Sequence, residues 1–278
     1  MKFQRIIEAV YFQPWMITPE AHASIRMVVQ SRLMDLGEKQ DVEWGKTDLA
    51  GDPLPSMNIE GSIATIPIKG MIMKGAGKME KTCGAVSPDD ISNNLKAALD
   101  HPKVRGIFLD INSPGGYTTG VHELAQEIAE ARNKKPVIAY TDELIASAAY
   151  YMASSTSAIY ASASSKIGSI GTYLYFLDWS EAYARSGVKP ELFVSEGSIF
   201  KAMGASGVPL TNEQRGELQR TVNRTNEKFK NHVKGNRPQV QESAMHGQVL
   251  DGDEAKEFGL IDSISSYQTA YQDLVRMV

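Results

Sequence analysis

The sequence predicts an α/β domain built around a mostly parallel β-sheet, and three observations support this fold class. Strand-like and helix-like segments alternate four times between residues 61 and 194, which is typical of βαβ units. The 278 residues are 42% hydrophobic and 22% charged, the balance of a folded protein that can bury a large core. No repeat of about 20–50 residues is visible, so a solenoid is not expected.

Composition disfavours several classes of function. Lysine and arginine total 29 against 33 aspartates and glutamates, a net charge of −4, so bulk charge does not draw the chain to nucleic acid or anionic lipid. The single cysteine, Cys83, allows neither an internal disulfide nor a cysteine-based zinc site and fits a reducing compartment. No window approaches about 18 consecutive apolar residues, and no small-residue cleavage site follows the first apolar stretch. We therefore expect neither a membrane span nor an export signal.

Residues 1–60 are predicted to form an N-terminal arm and linker. The Thr-Pro-Glu sequence at 18–20 is typical of a helix start, because it supplies a capping hydroxyl, a ring that needs no N–H and a carboxylate near the positive helix end. Apolar residues then return at spacings of three and four as far as Leu36, which predicts one apolar stripe. Such a stripe more commonly packs on its own domain, and the alternative is an assembly surface that meets a neighbouring chain. Residues 37–60 are rich in glycine, proline and acids and are typical of a linker.

The core elements follow in chain order from residue 61. Runs of apolar residues predict strands at 63–69, 104–111, 137–141, 158–161 and 191–194. Capping residues and apolar spacing predict helices at 87–100, 121–132, 147–154 and 178–185. Residues 71–84 are predicted to be a mobile loop, and residues 112–116 a turn.

The C-terminal part is predicted to be mainly helical. Thr211 and Gln214 form a capping box, which predicts a long polar helix to about Lys234. Residues 250–262 are typical of a helix, a terminal glycine and a strand. We expect residues 266–278 to be a C-terminal tail.

Several common site motifs are absent from this sequence or incomplete in it. The five histidines are scattered, with no HExxH pattern, so a metal site has little support. Gly75–Lys78 suggests a phosphate loop, but Ile72 replaces its first glycine and Met79 its magnesium-binding Ser or Thr. Ser198–Lys201 matches SxxK without its companion motifs. We therefore expect no metal, nucleotide or other cofactor.

Two segments carry stronger chemical signals. A glycine pair, Gly115 and Gly116, directly follows an apolar strand, where backbone N–H groups could face a cavity and form an oxyanion hole; a tight strand-to-helix turn is the alternative. Ser147 has small neighbours and lies where a helix should begin. A substrate backbone could approach it closely, and a helix N-terminus favours developing negative charge. It lacks the glycines of the GxSxG elbow, and the alternative is a capping serine.

Together with three further motifs, these segments resemble a known family. The order matches that of signal peptide peptidase A and its relatives, which are serine–lysine peptidases on a Clp/crotonase-like fold with a ββα-repeat core. The five motifs lie at 113–116, 147–151, 166–171, 195–201 and 254–262. The resemblance spans about residues 61–265, which implies a peptidase domain there, with the helical arm before it and helices at its C-terminal end.

Within the family, the closer likeness is to the capsid assembly (prohead) proteases of lambda-type phages. Like them, this chain has no membrane anchor and places a Pro-Trp-containing arm, residues 13–20, ahead of the protease domain.

The resemblance implies roles for particular residues. Ser147 is the nucleophile, Lys201 the general base, and Ser169 orients the lysine amine. A serine hydroxyl is a weak nucleophile until a neighbour takes its proton. A lysine amine can take that proton only when neutral, so its usual pKa near 10.4 must fall, by up to ~3–5 units on full burial.

The surroundings of the base follow from the same resemblance. The backbone N–H groups of Gly115 or Gly116 and of Ala148 form the oxyanion hole. An apolar wall for the lysine could come from Ile199, Phe200 and Met203. Lys166 and Lys189 could compete for the role of base. Many relatives carry Asp after the lysine, whereas this chain has Ala202.

The implied function is a serine endopeptidase, with capsid maturation in a phage or prophage as the role. Its substrates are then scaffold or capsid-protein segments, and it works in the host cytoplasm or inside an immature capsid. A homo-oligomer is expected. In some relatives the lysine comes from an adjacent subunit, so Ser147 and Lys201 of one chain could lie too far apart for a hydrogen bond. The alternatives are a soluble peptidase of signal peptides or other oligopeptides, a catalytically silent crotonase-like assembly protein, and a crotonase that acts on acyl-CoA.

Overall fold

The computed structural model describes residues 14–34, 57–77, 80–81 and 84–278, with residues 28–34 described by their backbone alone. Most of the predicted linker, Met79, Cys83 and the end of the arm stripe at Leu36 lie outside the described residues. In the described ranges the chain forms thirteen strands and eight α-helices. No helix among them is both long enough and apolar enough to cross a bilayer.

A six-stranded sheet forms the centre of the molecule. Its strand order is β13-β10-β8-β6-β3-β2, and every neighbouring pair is parallel except β2 with β3. The strands are β2 (Asn58–Glu60), β3 (Ile63–Lys69), β6 (Gly106–Asn112), β8 (Val137–Thr141), β10 (Ala158–Ala161) and β13 (Ser263–Ile264). The predicted α/β class with a mostly parallel sheet is confirmed.

Two smaller sheets flank the central one. The first has the order β1-β7-β4-β5 and consists of β1 (Trp15–Ile17), β7 (Gly115–Tyr117), β4 (Met71–Ile72) and β5 (Ala85–Val86). The second has the order β12-β11-β9 and consists of β12 (Val249–Asp251), β11 (Lys166–Gly168) and β9 (Leu144–Ala146). Gly115 and Gly116 begin β7, Ser147 directly follows β9, and Ser169 directly follows β11. All four residues therefore lie at the ends of paired strands.

Helices cover both faces of the central sheet. They are α1 (Pro19–Met34), α2 (Pro88–Asp100), α3 (Val121–Ala131), α4 (Ala148–Ala153), α5 (Ser180–Arg185), α6 (Asn212–Asn236), α7 (Gly252–Glu257) and α8 (Tyr267–Arg276), with a 3₁₀ turn at Glu242–Ala244. Successive side chains of a strand point to opposite faces. Accordingly, Ile107 and Leu109 pack in the main core with α2 and α3, whereas Phe108 packs with Ala270 and Leu274 of α8.

The longer predicted elements are confirmed, with small shifts at their ends. The α2 helix has its Ser87 cap, since the Asp89 N–H donates to Ser87 Oγ at 3.2 Å. The Thr211–Gln214 capping box opens α6 as predicted. Residues 267–276, within the predicted tail, form α8 and bury Ala270 and Leu274 completely.

Other local predictions are wrong. Residues 191–194 form no strand: Leu192, Phe193 and Val194 are 41%, 89% and 44% exposed and no neighbouring strand pairs with them. Their apolar composition favours a strand, but a strand needs a partner edge, and local composition does not supply one. The predicted loop at 71–84 and turn at 112–116 contain β4 and β7, two- and three-residue strands held by partners distant in sequence.

The short α4 helix is held by two buried tyrosines. The Tyr150 hydroxyl donates to the Leu260 carbonyl at 2.9 Å. The Tyr151 ring stacks on His232 with ring centroids 4.0 Å apart, and its hydroxyl lies 2.8 Å from His122 Nδ1. His232 Nε2 lies 2.9 Å from Ser155 Oγ at the end of the same helix. The position of α4 therefore depends on contacts with segments remote in the sequence.

An ion pair between a buried arginine and a half-buried aspartate ties the end of α6 to the chain before β13. Arg237, 4% exposed at its side chain, lies 2.7 Å from Asp262 Oδ1, and Asp262 Oδ2 accepts the Ile159 N–H at 2.7 Å. The carboxylate thus joins the helix to the central strand β10. Removal of one partner leaves the other charge buried without compensation.

We expect Asp262→Ala to destabilise the fold. Because Arg237 would stay buried without its counter-charge, whereas the Asp262 side chain itself is partly exposed, the free energy of unfolding should fall by about 1–3 kcal/mol. Urea unfolding measures this change. The exposed Glu257, the last residue of α7, gives the matched control: Glu257→Ala should stay within about 0.5 kcal/mol of the wild type. Equal losses in the two variants would contradict this account of the ion pair.

Acidic pH is expected to destabilise the fold through His232. Burial, and to a smaller extent the nearby His122, lowers the pKa of His232 to about 4, against about 6.5 in an unfolded chain. Between these values the unfolded chain binds a proton that the folded chain does not. The free energy of unfolding therefore falls as pH drops from about 6.5 to about 4, by on the order of 3 kcal/mol.

The effect is measured as the change of Tm with pH in thermal unfolding. Two variants distinguish His232 from other groups that titrate at acidic pH. His232→Gln should flatten the dependence of Tm on pH between about 4 and 6.5. His246→Gln, at an exposed position, should leave the dependence unchanged. A slope in His232→Gln as steep as in the wild type would assign the effect to other groups.

Candidate active site

Ser147 lies in a strained turn between β9 and α4. Its φ of 56° and ψ of −117° belong to a region that side-chain-bearing residues rarely adopt. The turn is fixed on both sides, because the Ser147 N–H donates to the Gly168 carbonyl and the Tyr151 N–H donates to the Ser147 carbonyl, each at 2.8 Å. Ser147 is 1% exposed, and its Oγ has no hydrogen-bond partner among the described residues.

The glycine pair lies directly beside this turn. Gly115 has a φ of 97°, and a Cβ added to it would stand 2.9 Å from both Ala148 N and Ser147 Cβ. A Cβ on Gly116 would stand 1.9 Å from the Ile72 carbonyl oxygen. Only glycine therefore fits at either position. The structure thus brings together Gly115, Gly116, Ser147 and Ala148, which the sequence separates by about thirty residues.

The strand β9 connects the two motifs. The Ala146 N–H donates to the Ser113 carbonyl at 3.1 Å, and the Ser113 N–H donates to the Leu144 carbonyl at 2.9 Å. The Gly115 N–H is directed at Ser113 Oγ at 3.2 Å, and that hydroxyl donates to the Gly70 carbonyl at 2.7 Å. The residues before the glycine pair are therefore fixed relative to Ser147.

Ser169 lies at the end of the neighbouring parallel strand. In the pairing of β9 with β11, Gly168 is opposite Ala146, so Ser147 and Ser169 follow at the same sheet edge. Ser169 has a φ of 51° and is 6% exposed, and its N–H donates to the Gln248 carbonyl at 2.7 Å. It lines a cavity of about 410 Å³ together with Ile17 and Met245.

Lys201 is not joined to Ser147 within one chain. It is exposed, in a segment without helix or strand that runs from residue 187 to residue 211. Its expected apolar neighbours Ile199 and Phe200 are 53% and 41% exposed, and Met203 is half-buried. In a single copy these side chains therefore form no closed apolar wall around the lysine amine.

The two lysines that could replace Lys201 as general base differ in their surroundings. Lys166 forms an ion pair with Asp251 at the start of β11, and Lys189 is exposed in the same segment as Lys201. Sequence reasoning missed Lys230, which lines the cavity beside Ser169 and lies 3.2 Å from Glu242 Oε1. It lies on the polar helix α6, where a lysine gives no sequence signal of proximity to a site.

Two other features of the site were not predicted. One is the group of His122, Tyr151 and His232 behind α4, whose members are too far apart in sequence to suggest contact. The other is β1, which pairs with the glycine strand. Its apolar run Trp15–Ile17 follows Pro14 and precedes a helix cap, and this pattern could have signalled a strand. In the described part of the chain, no three His, Cys, Asp or Glu residues are placed to hold a metal ion.

Comparisons with known proteins give relatives from the family that the order of motifs resembles. Head-tail preconnector protein GP5 of Enterobacteria phage P21 is 29% identical over 243 residues, covering 81% of this chain. Capsid assembly protease C of Escherichia phage lambda is 25% identical over 276 residues and covers 93%. Putative signal peptide peptidase SppA of Enterococcus faecium is 25% identical over 236 residues and covers 83% of this chain and 68% of its own.

The chain spans about half the length of the curated relatives it matches, 47% of the P21 protein and 62% of the lambda protein. Among solved structures, a ClpP1 variant from Listeria monocytogenes matches with a TM-score of 0.45 and 16% identity, covering 74% of this chain and 93% of that one.

The profile of Peptidase family S49 matches residues 129–277, more than half of the chain. The matched range contains Ser147, Ser169 and Lys201, whereas the glycine pair precedes it. The family predicted from the order of the motifs is confirmed: this chain belongs to Peptidase family S49.

Proposed function

We propose that this chain is a serine endopeptidase in which Ser147 is the nucleophile and Lys201 the general base. The observation that carries the proposal is the strained turn of Ser147, which holds its side chain beside Gly115 and the Ala148 N–H. Strain of this kind costs about 1–3 kcal/mol and persists where the surrounding structure enforces it, typically at active sites. A capping role gives no reason for it, because Ser147 Oγ accepts no hydrogen bond from α4.

The proposed reaction uses these groups in two steps. Ser147 Oγ attacks the peptide carbonyl while its proton passes to a neutral lysine amine, and the resulting oxyanion accepts N–H donors from Ala148 and from Gly115 or Gly116. The lysine then gives the proton to the departing amine. In the second step it takes a proton from a water molecule that attacks the acyl-enzyme carbonyl, and it returns this proton to Ser147 Oγ as the acid product leaves. Ser169 is proposed to orient the amine.

We propose that the lysine comes from a neighbouring copy of the chain in a homo-oligomer. The segment around Lys201 exposes large apolar side chains, with Phe193 89% and Ile199 53% exposed. An exposed apolar patch of this kind marks an interaction surface. A second copy that covers it would also remove water from the lysine, which favours the neutral amine that the reaction needs.

We further propose a role in capsid maturation for a phage or prophage. Support comes from the similarity to the lambda capsid assembly protease, which extends over 93% of this chain and so includes part of residues 1–60. The substrates would be scaffold or capsid-protein segments, cleaved in the host cytoplasm or inside an immature capsid. The similarity to the Enterococcus protein favours a second candidate, the hydrolysis of signal peptides or other oligopeptides.

Cleavage of two substrates separates these roles. Purified protein is incubated either with procapsids that contain scaffold or with short apolar peptides. Defined cleavage of the scaffold or capsid protein supports the maturation role. Hydrolysis of the peptides with the procapsid proteins intact would favour the second candidate.

We expect Ser147→Ala and Lys201→Ala each to lower the rate of casein cleavage by at least about a thousand-fold, because each removes a group on which the chemical step depends. Lys189→Ala is the matched control, since this lysine is exposed in the same segment, and it should keep wild-type activity. Activity retained in either of the first two variants, at an unchanged native mass, would contradict the proposed pair.

Mixing the two inactive variants tests the donation of Lys201 between subunits. If subunits of Ser147→Ala and Lys201→Ala exchange at random, roughly a quarter of the sites receive an intact serine and an intact lysine from two different copies. The mixture should therefore recover about that share of wild-type activity. Pairing within one chain predicts no recovery, because no single subunit would then hold both groups.

We expect Gly115→Ala to lower kcat by about a hundred- to a thousand-fold, because the added Cβ would stand 2.9 Å from Ala148 N and would displace the Ala148 N–H, a proposed oxyanion donor. Gly61→Ala is the control: its φ of 59° imposes similar backbone strain, but nothing lies within 4 Å of the added Cβ. Near-normal kcat in folded Gly115→Ala would contradict the assigned oxyanion site.

A further inference from the structure

The strand β1 lies between two backbone edges beside the candidate active site. On one side it pairs antiparallel with β7, with Met16 opposite Gly116, and the Thr18 N–H donates to the Pro114 carbonyl at 3.0 Å. On the other side, the Trp15 N–H donates to the Tyr173 carbonyl at 2.8 Å, and the Tyr173 N–H donates to the Trp15 carbonyl at 3.2 Å. Without β1, these edges would form a groove one strand wide.

The carbonyl of Met16 occupies the space in front of the proposed oxyanion donors. A Cβ on Gly115 would stand 2.2 Å from the Met16 oxygen and 2.9 Å from both Ala148 N and Ser147 Cβ, so all three surround the same point. The 1% exposure of Ser147 shows that its hydroxyl is covered in this arrangement. A substrate carbonyl has to reach this same space if Ser147 is to attack it.

The groove also holds the side chains of β1. Trp15 is fully buried, with its ring 4.2 Å from that of Tyr117 in a T-shaped contact. Ile17, 2% exposed, points to the same face as Trp15 and lines the cavity that contains Ser169. Met16 points to the opposite face and joins the main core. The groove therefore accepts an extended segment with apolar side chains on both faces.

Buried polar groups in the groove lack partners. Among the described residues, four buried polar atoms of this region have no hydrogen-bond partner: Trp15 Nε1, Ser147 Oγ, Thr172 Oγ1 and Tyr173 Oη. Buried polar groups in permanent core positions are nearly always hydrogen-bonded. These atoms lie on β1, at Ser147 and on the second edge of the groove, so the polar groups of a bound peptide could pair with those that do not belong to β1.

The arm has a second contact next to the groove. In α1, directly after β1, the Arg26 guanidinium lies 3.9 Å from the centre of the Tyr175 ring. This cation–π contact fixes the helix to the same segment that forms the second edge of the groove. The strand and the helix therefore hold the arm in place together.

We propose that residues 15–18 are an intramolecular occupant of the peptide-binding groove, and that they leave it before an extended peptide can reach Ser147. This inference rests on the proposed function. Addition of a strand to exposed sheet edges is a common mode of peptide recognition, in which backbone hydrogen bonds give affinity and alternate side chains give specificity. The ligand that replaces β1 is accordingly an extended peptide with large apolar residues at the positions of Trp15 and Ile17.

A reversible covalent lock tests the proposal. Trp15 and Tyr173 exchange two hydrogen bonds, and such antiparallel pairs have Cα atoms about 5.5 Å apart, inside the ~4.4–6.8 Å that a disulfide spans. Trp15→Cys with Tyr173→Cys, in a Cys83→Ser background, therefore fixes β1 in the groove when oxidised and releases it when reduced. The oxidised form keeps the strand in its native place, so its properties do not report misfolding.

Two readouts are compared between the oxidised and reduced forms. The first is the rate at which a fluorophosphonate labels Ser147, which should be at least about ten-fold higher after reduction, because only the fraction with an open groove reacts. The second is the binding of a fluorescein-labelled peptide of residues 14–20, which should also be at least about ten-fold tighter after reduction. Cys83→Ser alone should respond to reduction in neither assay.

The two readouts separate this inference from the proposed function. Peptide binding that is equal in the two forms, including no binding in either, would overturn the occupant role of residues 15–18. Equal labelling of Ser147 in the two forms would overturn it as well. Absence of labelling in every form, together with peptide binding that depends on reduction, would instead reject Ser147 as the nucleophile and leave the groove assignment standing.

Discussion

The backbone turn at Ser147 is the constraint on which the rest of the site depends. Its positive φ costs about 1–3 kcal/mol, and the cost is offset by bonds on both sides of β9. The Ala146 N–H donates to Ser113, and the Ser147 N–H donates to Gly168. Because these bonds reach both the glycine motif and the serine motif after β11, three distant segments meet at one hydroxyl. Tyr150 and Tyr151 hold the helix that follows.

The two proposals describe a chain that folds before its site is complete. In one copy, Ser147 is buried beside β1 while Lys201 lies exposed among apolar side chains. A neighbouring subunit would supply the lysine, and a departing arm would open the groove. Both events are separate from the packing of the central sheet, since β1 and the segment 187–211 lie outside it. An endopeptidase built in this way stays inactive until it assembles and meets its substrate.

The sequence predicted the central fold well because its longer elements have recognisable local sequence patterns. The α3 helix has apolar residues at helical spacing, β3 alternates, and β8 and β10 are short apolar runs. Ser87, Thr211 and Gln214 mark helix starts. Short strands such as β7, β9 and β11 were missed, since three residues carry too little pattern and their partners lie far away in sequence. The strand predicted at 191–194 is wrong for the opposite reason. The segment is apolar, but no strand in the described part of the chain pairs with it.

The site was predictable to the extent that its residues stand in ordered motifs. Gly115, Ser147 and Ser169 stand in such motifs. The structure places Ser147 and Ser169 at one sheet edge, with Gly115 beside Ser147. The contact of Met16 with the glycine strand could not be inferred, because it depends on the path of the arm over the finished domain. The partner of Lys201 could not be inferred either, since it depends on a surface of another copy.

The most direct test is a structure of the assembled particle with a peptide bound. The account predicts that Nζ of Lys201 from a neighbouring subunit lies within about 2.6–3.2 Å of Ser147 Oγ, the reach of a general base. An assembled particle in which no Lys201 of any subunit approaches Ser147, although peptide fills the groove, would contradict it.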